Sequence, residues 1–259
     1  MEDAHGRSAF VKVGATEQTA GWLRAEWHVY GQIAAPFLPA VLGWDNGDAE
    51  TSPILILEDL SAAHWPPPWS PELIQHTLEA LARVAATAPP AGLPLLADER
   101  AELSGWPRVA SAPATFLALG LCSHHWLERA LPTLLAAEQT AVLTGDSFLH
   151  FDVRSDNLCL AGDRLVLVDW NWACRGNARA DVAGWLPSLH TEGGLRPEQI
   201  LPDEPGFAAL LSGSWAERAG LPPPVPGSPV RMVQLRQLRA ALPWAARALG
   251  LPPLDGPAV

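Results

Sequence analysis

Apolar residues crowd the stretch Ala9-Phe10-Val11-Lys12-Val13, a short run closed by Gly14 that predicts a strand. Thr16 then stands where a helix would be capped, with Glu17 in its first turn, and the helical spacing continues to about residue 34. Pro36 and Pro39 break the chain before a second short strand over 40–44 and a polar turn, Asp45-Asn46-Gly47-Asp48. Residues 53–57 form a continuous apolar run, the pattern of a strand buried on both faces. Residues 62–71 (AAHWPPPWSP) are too rich in proline for regular structure, so a lobe boundary is expected there, dividing the chain into 1–61 and 62–259. Beyond it the periodicity is mostly helical: 71–87, 114–137 with an interruption near Pro132, 197–213 and 230–249. One β island, over 158–168, interrupts this helical part. The class predicted is α+β, a small β-rich lobe joined to a larger helical one.

Charge and composition remove several functions. The chain has 259 residues and a net charge of −11, with no cluster of Lys and Arg, so a nucleic-acid footprint is not expected. No apolar run reaches the ~18 residues of a membrane span, and the opening MEDAHGRSAF reads as neither signal nor transit peptide. Three cysteines without a CxxC argue against a disulfide framework or zinc site, so a cytoplasmic protein with reduced thiols is expected. One oddity remains. Of seventeen basic residues, Lys12 is the one lysine, a position where a compact ammonium could do what a planar guanidinium cannot.

The stretch His150-Phe151-Asp152-Val153-Arg154-Ser155-Asp156-Asn157 carries the densest chemistry. Two apolar segments follow it, around Gly162-Asp163, and end on Asp169. Taken as a hairpin with Ala161 opposite Leu165, they set Asn157 opposite Asp169 at the open end. A carboxylate beside an amide oxygen is a hard, oxygen-only pair suited to Mg²⁺. Asp152, a short loop away, can reach the same point and act as a base.

His-x-Asp-x-x-x-x-Asn, an apolar strand and Asp-Trp together resemble the aminoglycoside phosphotransferase and choline-kinase-like small-molecule kinases, which share the protein-kinase fold. The resemblance covers roughly residues 10–189. It implies Asp152 as catalytic base, Asn157 and Asp169 as holders of Mg²⁺ on the ATP phosphates, and Arg154 as a basic group near the terminal phosphate. His150 would support the loop, and Asp181, in Ala180-Asp181-Val182-Ala183, would be structural. Such kinases pair a strand lysine with a helix glutamate. Here Trp22, Glu26, Val29/Tyr30 and Ile33 share one helix face, so Glu26 sits in an apolar stripe where an unpaired carboxylate is costly, and Lys12 can reach it from the sheet. Leu57-Glu58-Asp59-Leu60 resembles the hinge, where backbone groups of Glu58 and Leu60 would hold adenine. The expected activity is an ATP-dependent, Mg-assisted transfer to a hydroxyl of a small molecule.

Two departures shape that expectation. Only eleven residues precede Lys12, with one glycine, Gly6, so the first two strands and the glycine-rich phosphate loop are expected to be missing. Either the start is assigned too far downstream, or the chain is a shortened relative; the rival function is therefore a catalytically inactive, pseudokinase-like binding protein. Residues 3–8 would form the turn into the lysine strand. Second, only eleven residues separate Asp169 from Asp181 and no Ala-Pro-Glu occurs, which disfavours a protein acceptor and favours a small hydroxylated molecule. Acidic residues such as Asp181, Glu192, Glu198, Asp203 and Glu204 would suit a cationic aminosugar. The acceptor's identity, ATP against GTP, and the oligomeric state are left open. Trp65 and Trp69 read as packed linker, Trp170 and Trp172 as core, and His124-His125 as a helix-surface pair.

Overall fold

The computed structural model describes residues 8–48 and 50–256; the turn expected over 3–8, Gly6 included, lies almost wholly outside them. By its contacts the chain gathers into two compact units, one of residues 1–95 with 145–182 and one of 96–144 with 183–259. The expected lobe boundary after residue 61 is a different cut of the same chain.

The first unit is built on a three-stranded antiparallel sheet in the order β1 (Ala9–Val13), β3 (Ile54–Glu58), β2 (Val41–Asp45). Lys12 pairs with Leu55. Leu55 and Leu57 are buried while Ile54, Ile56 and Glu58 are half-buried, so β3 alternates instead of being buried on both faces. The reason is that one face of the sheet is covered by the helix α1 (Glu17–Tyr30). Gly14 allows the turn from β1 into α1: a Cβ there would lie 2.6 Å from the Cα of Ala20. Thr16 caps α1 in a reciprocal box with Thr19. The helix ends at Tyr30, sooner than expected, and its buried stripe is Ala20, Leu23, Glu26, Val29 and Tyr30. Trp22 is therefore not part of the stripe.

α2 (Pro71–Ala86), capped by Ser70, packs on β4 (Ser147–Leu149) and on the hairpin strand β6. The hairpin is β5 (Leu158–Ala161) and β6 (Arg164–Leu167), with Leu158 paired to Leu167 and Ala161 to Arg164. Its turn is the two-residue Gly162-Asp163, made possible by Gly162 at φ +65°. The register is thus one residue tighter than expected, and Asn157 faces Val168 rather than Asp169. β7 (Cys174–Gly176) pairs antiparallel with β4. Trp170 packs beneath, stacked on Phe148 at 5.0 Å and edge-on to His150 at 4.6 Å between ring centres.

In the second unit, α3 (Arg100–Leu103), α4 (Trp106–Ser111), α5 (Ala114–Leu117) and α6 (His124–Thr140) precede α7 (Arg179–Thr191), whose first turn belongs to the other unit. α8 (Pro197–Ile200), α9 (Pro205–Arg218) and α10 (Val230–Ala248) complete it. α9 is the hub, packed on α10, α6 and α4. Two expected helices are each split: 114–137 at residues 118–123, and 197–213 before Pro205. Pro132 lies inside α6 without ending it.

Candidate active site

Lys12 points from β1 to two carboxylates. Its Nζ donates to Glu26 Oε2 at 2.7 Å and is ion-paired with Asp169. Glu26 is 2% exposed and fully engaged: Tyr30 Oη donates to its Oε1 at 2.8 Å and the Asp169 amide at 3.2 Å. Burial alone would lower the Lys12 pKa, but the charges of Glu26 and Asp169 overcome it and hold it above 10.5. Burial, together with the same carboxylate, pushes the Tyr30 hydroxyl well up. Asp169 itself takes a left-handed backbone, φ 65° and ψ 57°, which turns the chain away from the hairpin directly after β6.

The loop before the hairpin is held from below. Asp181 accepts the amides of His150 at 2.8 Å and of Phe151, whose φ is 62°, at 2.7 Å. Burial pushes the Asp181 carboxyl up, against the hold of those amides. His150 is buried and neutral, its pKa lowered by desolvation. Its Nε2–H donates to the Val168 carbonyl at 2.8 Å, and its Nδ1 accepts the Asp152 amide at 3.2 Å. The ring therefore ties the Asp152 backbone to the end of the hairpin. The Asn157 amide nitrogen donates to the main-chain oxygen and to Oδ2 of Asp152, both at 2.9 Å. Burial raises the Asp152 pKa above 3.8, with Arg154 opposing.

Two cavities of this unit meet at Lys12 and Asp169, which line both. One, about 290 Å³, is walled by Phe10, Leu57, Leu60, Trp65 and Val168 beside the 58–61 segment. Its lining is mostly apolar, as a planar base requires. The other, about 420 Å³, contains Asp152 and Glu26 together with Thr19, Trp22, Asn171 and Trp172.

The model of the APH phosphotransferase enzyme family matches residues 1–221. The chain belongs to this family. Among solved structures it is similar to a choline/ethanolamine kinase family protein from Mesorhizobium loti, with TM-score 0.59 and 15% identity over 95% of this chain and 86% of that one. It is also similar to a thermostable mutant of aminoglycoside phosphotransferase APH(4)-Ia in ternary complex with ADP and hygromycin B, with TM-score 0.56 and 15% identity over 96% and 88%. At such identity the likeness concerns the fold, which is protein-kinase-like with a small sheet lobe and a larger helical region. A search of curated proteins found no match.

In this phosphotransferase-family chain, Lys12, Glu26 and Asp169 are joined by ion pairs and line the larger cavity with Asp152, whereas Asn157 bonds Asp152 but lines neither cavity and faces Val168 rather than Asp169. Arg154 does not line either cavity: its guanidinium folds back on Asp156 at 3.0 and 3.1 Å, with Asp152 at 3.7 Å. The Glu58 side chain is spent on Arg164, at 2.7 and 2.9 Å, and on the Ala40 amide, at 2.8 Å. Its main-chain amide is engaged as well, donating to the Ala40 carbonyl at 2.9 Å. Likewise the Leu60 carbonyl already accepts the Ala63 amide and the Trp65 indole, both at 3.0 Å. Trp65 stands on the cavity wall, and Trp172, expected in the core, is 54% exposed at the mouth of the larger cavity. Trp170 alone of that pair is core. Asp156, unnoticed in the sequence, lines the smaller cavity. An Asp one residue before Asn157 carries no spacing signal of its own.

The donor set bears on Mg²⁺. Among the described residues no group of three or more His, Cys, Asp or Glu side chains could hold a metal by itself. Asn157 is buried with its amide nitrogen committed to Asp152, which leaves its oxygen as the end a metal could use, and Asp169 adds a carboxylate. Mg²⁺ is commonly held by one or two such ligands plus substrate phosphates, so the residues fit it.

Proposed function

We propose that the chain transfers the terminal phosphate of ATP to a hydroxyl of a small molecule, aminosugar-like or related. The observation that carries this reading is the position of Lys12 and Asp169 at the junction of an apolar cavity and a polar one that contains Asp152. The base would lie in the 290 Å³ cavity against the Glu58–Leu60 backbone. Lys12, fixed by Glu26, would grip phosphate oxygens at the junction. Asn157 and Asp169 would hold Mg²⁺, which when bound would neutralise charge on the phosphates.

Asp152 orients the acceptor hydroxyl. The acceptor oxygen bonds to the terminal phosphorus, the bond from that phosphorus to the nucleoside diphosphate breaks, and the hydroxyl proton passes to the Asp152 carboxylate. Burial raises the basicity of that carboxylate, and the Asn157 amide fixes its rotamer. We place the reaction in the cytoplasm, where the buried thiols of Cys122, Cys159 and Cys174 stay reduced. No helix among the described residues is long and apolar enough to cross a membrane.

Calorimetric titration with AMP-PNP and MgCl₂, followed by ADP release across a panel of hydroxylated acceptors, tests this. Mg-dependent nucleotide binding with acceptor-dependent ADP release is expected. Binding with no release for any acceptor would favour the non-catalytic reading instead.

A further inference from the structure

Where the acceptor body lies follows from where Asp152 lies, given the phosphotransfer reading above on which this inference rests. A hydroxyl presented to Asp152 sits in the 420 Å³ cavity, so the rest of the molecule meets that cavity's walls. Two of those walls are indoles, and both are unusually open: Trp22 is 43% exposed and Trp172 54%. Trp22 is on the outer side of α1, away from its buried stripe, and Trp172 follows the 3₁₀ turn after Asp169. Among the described residues they are the two exposed indoles; Trp106, Trp126, Trp170, Trp185 and Trp244 are buried and the others half-buried.

Charge in the same cavity points the same way. Three carboxylates line it, but two are occupied within the protein. Glu26 is bonded by Lys12, Tyr30 and the Asp169 amide, and Asp169 is ion-paired with Lys12. The third is Asp152, whose task is the proton. The lining thus holds no spare carboxylate to receive ammonium groups. The acidic residues that suggested a cationic acceptor are not in this lining either: Asp181 is buried under the loop, and Glu198 pairs with Arg247 at 2.9 Å.

We infer that this cavity takes an uncharged acceptor whose hydroxyl-bearing body lays a flat ring face, aryl or pyranose, on Trp22 and Trp172, in preference to a polyamine-bearing one. Indoles offer broad apolar faces to such rings at little entropic cost. The polar neighbours Thr19 and Asn171 are placed to meet ring hydroxyls.

Ligand-observed NMR titrations of phenyl β-D-glucopyranoside and of hygromycin B into the whole chain, with AMP-PNP and MgCl₂ present, test the inference. The expected result is tighter binding of the aryl glucoside, weakened about tenfold by Trp172→Ala or Trp22→Ala and kept in Trp172→Phe. AMP-PNP affinity should stay unchanged in all three. Absence of aryl glucoside binding, binding indifferent to both alanine variants, or stronger binding of hygromycin B would overturn it. Failure of the phosphotransfer reading itself shows separately, as loss of AMP-PNP binding to the unmodified chain.

Discussion

In the unit that carries the hairpin, Glu26 is met by Lys12, Tyr30 and the Asp169 amide, and Asp181 by the amides of His150 and Phe151. In the helical unit Glu138 is buried as deeply, yet its Oε2 accepts one long bond, from the Trp106 amide at 3.3 Å, and its Oε1 has no partner. Burial pushes that carboxyl up to about 7. The difference separates two uses of a buried acid. Where several donors converge, the carboxylate is fixed in place, as Glu26 is beside Lys12 at the cavity and Asp181 is beneath the loop. Where one donor serves, the proton is the cheaper partner, and the residue only caps the amide end of α4.

Removing the cation should break this contrast most severely. Lys12→Met leaves Glu26 buried beside Asp169 without a counter-charge. Loss of one partner from a fully buried pair costs about 3–5 kcal/mol; with Lys12 still partly exposed, about 2–3 kcal/mol is expected in urea unfolding. Lys12→Arg keeps the charge but replaces a point donor by a planar fork. Stability should hold to within about 1 kcal/mol, while transfer drops by about 10- to 100-fold in kcat/KM. An unchanged rate would show that the lysine is incidental.

Asp152 gives a pH signature. Its carboxyl must be ionised to take a proton, and burial holds its pKa above 3.8. Activity should therefore be lost as pH falls through a value above the 3.8 of an ordinary aspartate, read from the acid limb of a kcat/KM profile.

Glu138 supplies an effect of the opposite sign. Its folded pKa, about 7, lies above the 4.5 expected when unfolded. The stabilisation from its proton is complete below about pH 4.5 and is lost as pH rises through about 7. Between pH 5 and pH 8 this should remove about 2–3 kcal/mol, and Glu138→Gln should abolish that slope in urea unfolding at the two pH values.

Much of the hairpin unit is legible in the sequence because its signals are local. Gly14, the Thr16 cap, the His150–Asn157 spacing and the Gly162-Asp163 turn each constrain a few bonds. The Lys12–Glu26 pair is longer range, but one lysine and one acid in an apolar stripe leave few alternatives. What stayed hidden depends on tertiary neighbours. The hairpin register moved by one residue because the turn is two residues long. Arg154 turned to Asp156, an opposite charge two residues away, and the Glu58 side chain pairs with Arg164 of the hairpin. Trp170 and Trp172 look alike in sequence, yet one is sealed between Phe148 and His150 and the other opens on a cavity.

The central claim is that Asp152 takes the acceptor proton in a site whose nucleotide grip is separate from it. Single-turnover transfer of ³²P from labelled ATP to an acceptor that supports ADP release, compared between the unmodified chain and Asp152→Asn, tests it most directly. The account predicts a rate loss of about 10²- to 10⁴-fold with AMP-PNP affinity nearly unchanged, because the amide cannot act as base. Transfer by Asp152→Asn at an undiminished rate would contradict it.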